Sequence, residues 1–460
     1  MARLVIVSNR VAMPRDTPSR AGGLAVALRD AMTDRGGLWF GWSGEVVDKT
    51  PEQPLVENAG KIIYATTDLG REDYEQFYIG YANGALWPIC HYRPGFIDAR
   101  RPEFEGYLRV NEIFAKQLAA LLQPDDLIWV HDYHFIAMAA YLRKLGVRNP
   151  IGFFLHIPFP VPELFTTLPG HDRLMADLCA YDLVGLQTDN DVRSLVRYLT
   201  EEAGHKVNGE GNIQVNGRTL RIGAFPIGID TEKFAKLAAK AEKKPEAQRL
   251  RESLGQRKLV VGVDRLDYSK GLTQRFQAFE ALLERWPEDR GRVTFLQVAP
   301  ISRGDVARYR TLRRELEGMA GRINGRYAEF DWTPVRYLNK PFPRQTLAGF
   351  YRTSRVGLVT PVRDGMNLVA KEYVAAQDPQ DPGVLVLSRF AGAARELKSA
   401  LIVNPYDIDG TADALNRALS MPLDERCERW SAMMQTLRGN TIVTWRRNYL
   451  GALEGTRRAA

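Results

Sequence analysis

Short apolar runs and longer amphipathic stretches alternate along the chain from its first residues. RLVIVSN is followed by GGLAVALRDAM, DLIWVHD by YHFIAMAAYLRKLG, and DLVGLQ by TDNDVRSLVRYLTEEAG, while PIGFFLHIPF opens a further round. The β-rich runs are too continuously apolar for strands with one wet face. Helical stretches separate them, so the pattern predicts parallel sheets covered by helices on both sides, an α/β fold. One stretch departs from this: NIQVNGRTLRI, with Asn216-Gly217 between two strand-like runs, reads as a hairpin.

From about residue 232 the alternation gives way to TEKFAKLAAKAEKKPEAQRLRESLGQR, charged and of helical period. KLVVGVDRLD then starts a second series that runs through VTFLQVAP, VGLVTP, VLVLSRF and LIVNP. At 460 residues the chain exceeds one ordinary core. Two doubly wound, Rossmann-like domains are expected: residues 1–235, with a C-terminal helix of about 440–460 packing back on it, and residues 236–439. Ligands of such sheets bind beyond the carboxyl ends of the strands, so the domains are expected to face a central cleft.

Composition changes this picture little. The net charge of +8, from 63 basic and 55 acidic residues, raises a nucleic-acid reading, but the cations are dispersed among acidic neighbours, as in RPEFEGYLR and YRTLRRELEG. They read as solvated helix faces, no nucleic-acid partner is expected, and a small acidic ligand needing a few converging cations fits better. Cys90, Cys179 and Cys427 form no CxxC pair, which argues against a disulfide framework or zinc site. MARLVIVSNR has an apolar run of only four residues and no run approaches a membrane span, so a soluble, cytoplasmic protein without a membrane partner is expected.

Candidate chemistry gathers at the predicted strand exits. In VRDGMNLVAKEY, Asp364-Gly365-Met366-Asn367 follows the strand VGLVT and opens a helix at Leu368. Its N–H groups suit an anion, Asp364 suits sugar hydroxyls, and Glu372 suits a ribose diol. In VDRLDYSKG, Arg265 and Lys270 place two cations in one loop, as a departing diphosphate would need. VSNR offers Arg10, and AGG ends at Gly23 without the spacing of a dinucleotide fingerprint. His131 and His134 form HxxH with no third ligand at a suitable spacing, so no protein-bound metal is expected. DIDGT at 407–411 looks like a phosphatase nucleophile loop, but only 49 residues follow Thr411; Asp409-Gly410 reads instead as a turn before the helix TADALNRALS.

SNR with AGG, ANGALWP, VHDYH, FLHIPFP, DRLDYSKG, SRGDV and DGMNLVAKEY occur together in the order found in trehalose-6-phosphate synthases. From about residue 3 to about 450 the chain resembles this family, retaining glycosyltransferases of family 20 with the GT-B fold. The resemblance implies glucose transfer from a nucleotide sugar, UDP-glucose by preference, to glucose 6-phosphate, giving α,α-trehalose 6-phosphate. It further implies that Arg10, Tyr78, Trp87, Asp132 and Arg303 bind the acceptor, the arginines and the tyrosine hydroxyl holding its phosphate. His156 would contact the transferred glucose; Gly23, Arg265, Lys270, Asp364, Gly365, Met366, Asn367, Leu368 and Glu372 would bind the donor. Arg265, Lys270, Asp132 and His156 form the expected catalytic group. No tightly bound cofactor is implied, Mg²⁺ enters only as a companion of the nucleotide, and homo-oligomerisation stays open.

The resemblance points to front-face substitution, in which the leaving diphosphate takes the acceptor's proton, rather than a double displacement on a carboxylate. Two alternatives stay open on sequence. One is a glucosylglycerol-phosphate synthase using ADP-glucose and glycerol 3-phosphate. The other is a silent sugar-nucleotide-binding regulator.

Overall fold

The computed structural model describes residues 2–14, 28, 29, 32, 36–209, 211–215, 217–301 and 307–458. They divide into two units, Met1–Pro226 with Trp445–Ala460, and Ile227–Thr444.

The first unit is built on ten strands: β1 (Leu4–Arg10), β2 (Gly37–Val47), β3 (Leu55–Ala59), β4 (Ile62–Gly70), β5 (Leu127–His131), β6 (Ile151–Phe154), β7 (Leu183–Leu186), β8 (Lys206–Val207), β9 (Ile213–Val215) and β10 (Arg218–Ala224). Their order is β3-β4-β2-β1-β5-β6-β7-β10-β9-β8, and the pairs from β4 to β10 are parallel. β5, β6 and β7 are buried along their whole length, which is why their sequences are continuous rather than alternating. β9 and β10 form the antiparallel hairpin, Val215 opposite Arg218, with Gly217 at φ 78°. Asn216 lies outside the described residues. Tyr449, on the helix Ile442–Glu454, returns to this sheet, donating to Phe153 O at 2.9 Å and stacking on Trp129.

The second unit holds β11 (Lys258–Val263), β12 (Val293–Val298), β13 (Val335–Leu338), β14 (Val356–Val359), β15 (Val384–Ser388) and β16 (Leu401–Val403). All pairs are parallel, in the order β13-β12-β11-β14-β15-β16. Chain order therefore reverses between β11 and β14, the point at which doubly wound sheets open a crevice.

The units part at Pro226 and Ile227, ahead of the expected joint near 235. Ile229 already bridges Thr441 ahead of the unit's first helix, and Thr231, that helix's first residue, donates to Leu437 O at 3.0 Å, so the chain has joined the second unit before residue 235. The charged stretch forms two helices, Thr231–Ala241 and Pro245–Leu254. DIDGT differs from expectation too. Asp407 caps a helix that starts at Ile408, accepting from Gly410 N–H at 2.9 Å, so Asp409-Gly410 lies in the first helical turn rather than before it.

Candidate functional site

In the second unit the two expected donor loops emerge from the adjacent strands β11 and β14. Gly271 allows the approach: at φ 64° it precedes the helix Leu272–Arg285, and a Cβ there would collide with Thr360 O beyond β14. The Lys270 ammonium donates to Asp364 Oδ2 at 2.6 Å, with both side chains nearly buried. Asn367 Nδ2 donates to the same oxygen at 3.0 Å, while its Oδ1 accepts from Ala370 N–H and caps the helix Leu368–Ala376. Backbone bonds from Asp364 N–H to Phe390 O and from Gly392 N–H to Asp364 O hold the loop of Gly365 and Met366 from the other side. Two residues expected to act separately are thus one ion pair at the mouth of a capped helix, whose N1 and N2 groups have no intrahelical acceptor.

Arg265 stands exposed at the exit of β11. Glu372 does not join the Lys270–Asp364 pair. Its Oε1 accepts from Arg344 Nε and Nη2 at 3.1 and 2.9 Å; burial pushes its carboxyl up, against the pull of Arg344.

In the first unit, Arg10 ends β1 and Asp132 follows β5, the strands on either side of that sheet's own reversal. Arg10 is exposed and registers beside Trp42, whose ring centroid lies 5.3 Å from that of Tyr78. Tyr78 sits in a π-helical segment, Tyr74–Leu86, a geometry that recurs at functional sites. Its ring stacks on Tyr74 and on His134. Trp87 is buried against His91 and Tyr133, so its indole presents little open face.

Asp132 holds φ 74° and ψ 167°, a region costly to a non-glycine residue. Local bonds enforce it: its N–H donates to Phe154 O at 2.8 Å, and its Oδ1 accepts from His156 N–H at 3.2 Å. Asp132 and His156 are therefore brought together, and His156 in turn meets His131, Nε2 to Nδ1 at 3.0 Å. Among the described residues no three His, Cys, Asp or Glu side chains cluster to hold a metal ion. Gly23 and Arg303 lie outside the described residues.

A model of glycosyltransferase family 20 matches residues 3–455. The chain belongs to glycosyltransferase family 20. This family 20 chain is 52% identical over 456 residues to the trehalose-6-phosphate synthase of Sinorhizobium fredii, covering 98% of each. The solved structure of the UDP-forming α,α-trehalose-phosphate synthase of Burkholderia xenovorans in complex with glucose-6-phosphate matches it with a TM-score of 0.95 at 51% identity, covering 98% of this chain and 100% of that one. An E. coli structure bound with UDP-2-fluoro glucose matches with a TM-score of 0.94 at 49% identity, covering 98% and 99%. Two doubly wound α/β units are the GT-B pattern the resemblance implied.

Two residues that shape this candidate site were not singled out from the sequence. Arg275, wholly buried, donates to Asp264 Oδ2 (2.8 Å), Gln297 Oε1 (2.9 Å), Thr360 Oγ1 (3.1 Å) and Lys270 O (3.4 Å), tying the exits of β11, β12 and β14 together. A signal existed: in LTQRFQAFEALL, Arg275 shares a helix face with Phe279, Leu282 and Leu283. Gly44 was also missed. At φ 96° it lets the Arg10 guanidinium lie where a Cβ would come within 2.8 Å of it.

Burial holds the His131 imidazole well below its ordinary value and pushes His156 down to about 3. The unfolded chain therefore binds more protons between pH 6.5 and about 3, and stability present above 6.5 is lost as pH falls through that window. The urea midpoint is expected to drop from pH 7 to 4, and less steeply in His156→Phe. Equal slopes would count against the buried neutral pair.

Proposed function

We propose that the chain is a retaining glucosyltransferase that moves glucose from UDP-glucose to glucose 6-phosphate, giving α,α-trehalose 6-phosphate and UDP. The observation that carries the reading is the Lys270–Asp364–Asn367 cluster between β11 and β14, on a chain about half identical to named trehalose-6-phosphate synthases along its length. A phosphate-bearing leaving group suits an ammonium beside a helix N-terminus, and Asp364 suits the hydroxyls of the transferred sugar. Glu372, with Oε1 committed to Arg344, has Oε2 for a ribose diol. Arg265 supplies a second cation for the diphosphate.

On the acceptor side, Arg10, Tyr78 and Arg303 would hold the phosphate of glucose 6-phosphate and Asp132 its hydroxyls, with Trp87 as a wall. The first unit then serves the acceptor and the second the donor. The diphosphate oxygen takes the proton of the attacking hydroxyl as the sugar–phosphate bond breaks, so no side-chain nucleophile is required. Mg²⁺, where present, accompanies the nucleotide, and the cytosol supplies both substrates.

The test crosses UDP-, GDP- and ADP-glucose with glucose 6-phosphate and glycerol 3-phosphate and identifies products by mass. A disaccharide phosphate made best from UDP-glucose supports the proposal. Glucosylglycerol phosphate, or ligand binding without product under any pairing, would replace it. Gly44→Ala is expected to raise KM for glucose 6-phosphate about 10- to 100-fold, because it displaces the Arg10 guanidinium, with donor KM little changed. An unchanged acceptor KM would separate Arg10 from the phosphate.

A further inference from the structure

We infer that His131 is a positioning residue that fixes the tautomer of His156, so that His156 meets the transferred sugar as a neutral donor through Nδ1–H. This rests on the proposed contact between His156 and the donor glucose.

His131 Nδ1 and His156 Nε2 stand 3.0 Å apart, with the rings at an interplanar angle of 27°. When both rings are neutral one proton occupies that contact, so the two tautomers are locked together. Either both rings carry the proton on Nδ1, or both carry it on Nε2.

The surroundings of His131 choose between them. His131 is fully buried and its Nε2 has no hydrogen-bond partner among the described residues. Its ring centroid lies 4.4 Å from that of Trp129 and 6.4 Å from those of Phe154 and Trp445. The indole Nε1–H groups of Trp129 and Trp445 are themselves buried without partners among the described residues. An indole nitrogen donates and does not accept. A proton on His131 Nε2 would thus be a buried N–H with no acceptor among the described residues, since its ring neighbours carry no lone pair to receive it, whereas an unspent lone pair at the same nitrogen costs less.

The His131 proton is therefore on Nδ1, His156 Nε2 accepts it, and His156 carries its own proton on Nδ1. Burial keeps both rings neutral, and a second proton shared across this contact would set two like charges side by side. The adjacent carboxylate, Asp132, turns Oδ1 to the His156 backbone N–H. His156 then offers a sugar oxygen a donor without a charge, and with Nε2 occupied it cannot serve as the base that deprotonates the acceptor.

The test is long-range ¹H–¹⁵N NMR of ring-labelled histidines in the full chain at pH 7, without substrates, assigned with the His131→Phe and His156→Gln variants. The wild type is expected to show His156 protonated on Nδ1 and bare on Nε2. His131→Phe is expected to release it toward the Nε2–H form and to lower kcat about 10- to 100-fold, with the glucose 6-phosphate KM within about twofold. His131→Asn, whose amide can donate from near the place of Nδ1, should recover most of the turnover.

A wild-type His156 protonated on Nε2, or an unchanged His156 spectrum in His131→Phe, overturns the inference. The wild-type spectrum decides even where His131→Phe fails to fold. Normal turnover by a folded His131→Phe with a switched tautomer would take His156 out of the reaction, and the role of His131 with it. Because the tautomer is read without substrates, a wrong donor or acceptor shows as absent turnover beside the expected spectrum.

Discussion

Alanine in place of Lys270 is expected to lower kcat by about 10²- to 10³-fold, the range for losing one preorganised group that stabilises developing charge. The ammonium is nearly buried, 2.6 Å from Asp364 Oδ2, beyond two adjacent strand ends where a leaving diphosphate would sit. In the proposed leaving-group role its charge would be felt most as the sugar–phosphate bond breaks, so kcat should fall more than donor affinity. Asn367 Nδ2 still donates to Asp364 Oδ2 in the variant, which limits the cost to the fold. Lys270→Arg should fall between the two, because a guanidinium fork does not reproduce a compact ammonium at that distance. Near-normal kcat in Lys270→Ala, measured with saturating donor, would remove Lys270 from the leaving-group role.

The second large effect is expected at Arg275, and it is first an effect on stability. Removing the guanidinium leaves Asp264 as a buried carboxylate without its partner and Gln297 Oε1 without its donor. Burial already pushes the Asp264 carboxyl up, and Arg275 is the largest influence opposing that rise. Breaking such a pair costs about 3–5 kcal/mol. Arg275→Ala should therefore show a markedly lower denaturation midpoint together with a weakened donor KM, since Thr360 and the Lys270 carbonyl lose the same anchor. Arg275→Lys keeps the charge but not the fork and should recover only part of each. A midpoint within error of the parent chain would show that the network carries no stability.

The α/β character was legible because fully buried parallel strands such as LIWV and VLVL leave an unmistakable continuous pattern, and the strand exits followed from it. The residues at those exits were legible by type: a cation, a carboxylate and a glycine before a helix. Their pairing was not. Nothing in the spacing of Lys270 and Asp364 along the chain tells that β11 and β14 are neighbours, because the order of parallel strands is decided by crossovers that sequence period does not record. Arg344, which holds Glu372, was invisible for the same reason: it lies on a different helix. His131 was read as one half of HxxH. It is partnered instead by His156, a strand away, and only burial and ring geometry expose that contact. The joint near 235 was misplaced because a change to charged helical sequence marks where a helix begins, not where tertiary contacts change sides.

The most direct test of retaining transfer to glucose 6-phosphate is the ¹³C NMR spectrum of the product formed from UDP-glucose labelled at C1 of glucose. A single labelled anomeric carbon of α configuration, joined to the anomeric carbon of the acceptor in a 1,1-linked disaccharide phosphate, is the predicted result. Label in a β linkage, in a link to any other acceptor position, or released as free glucose would contradict it.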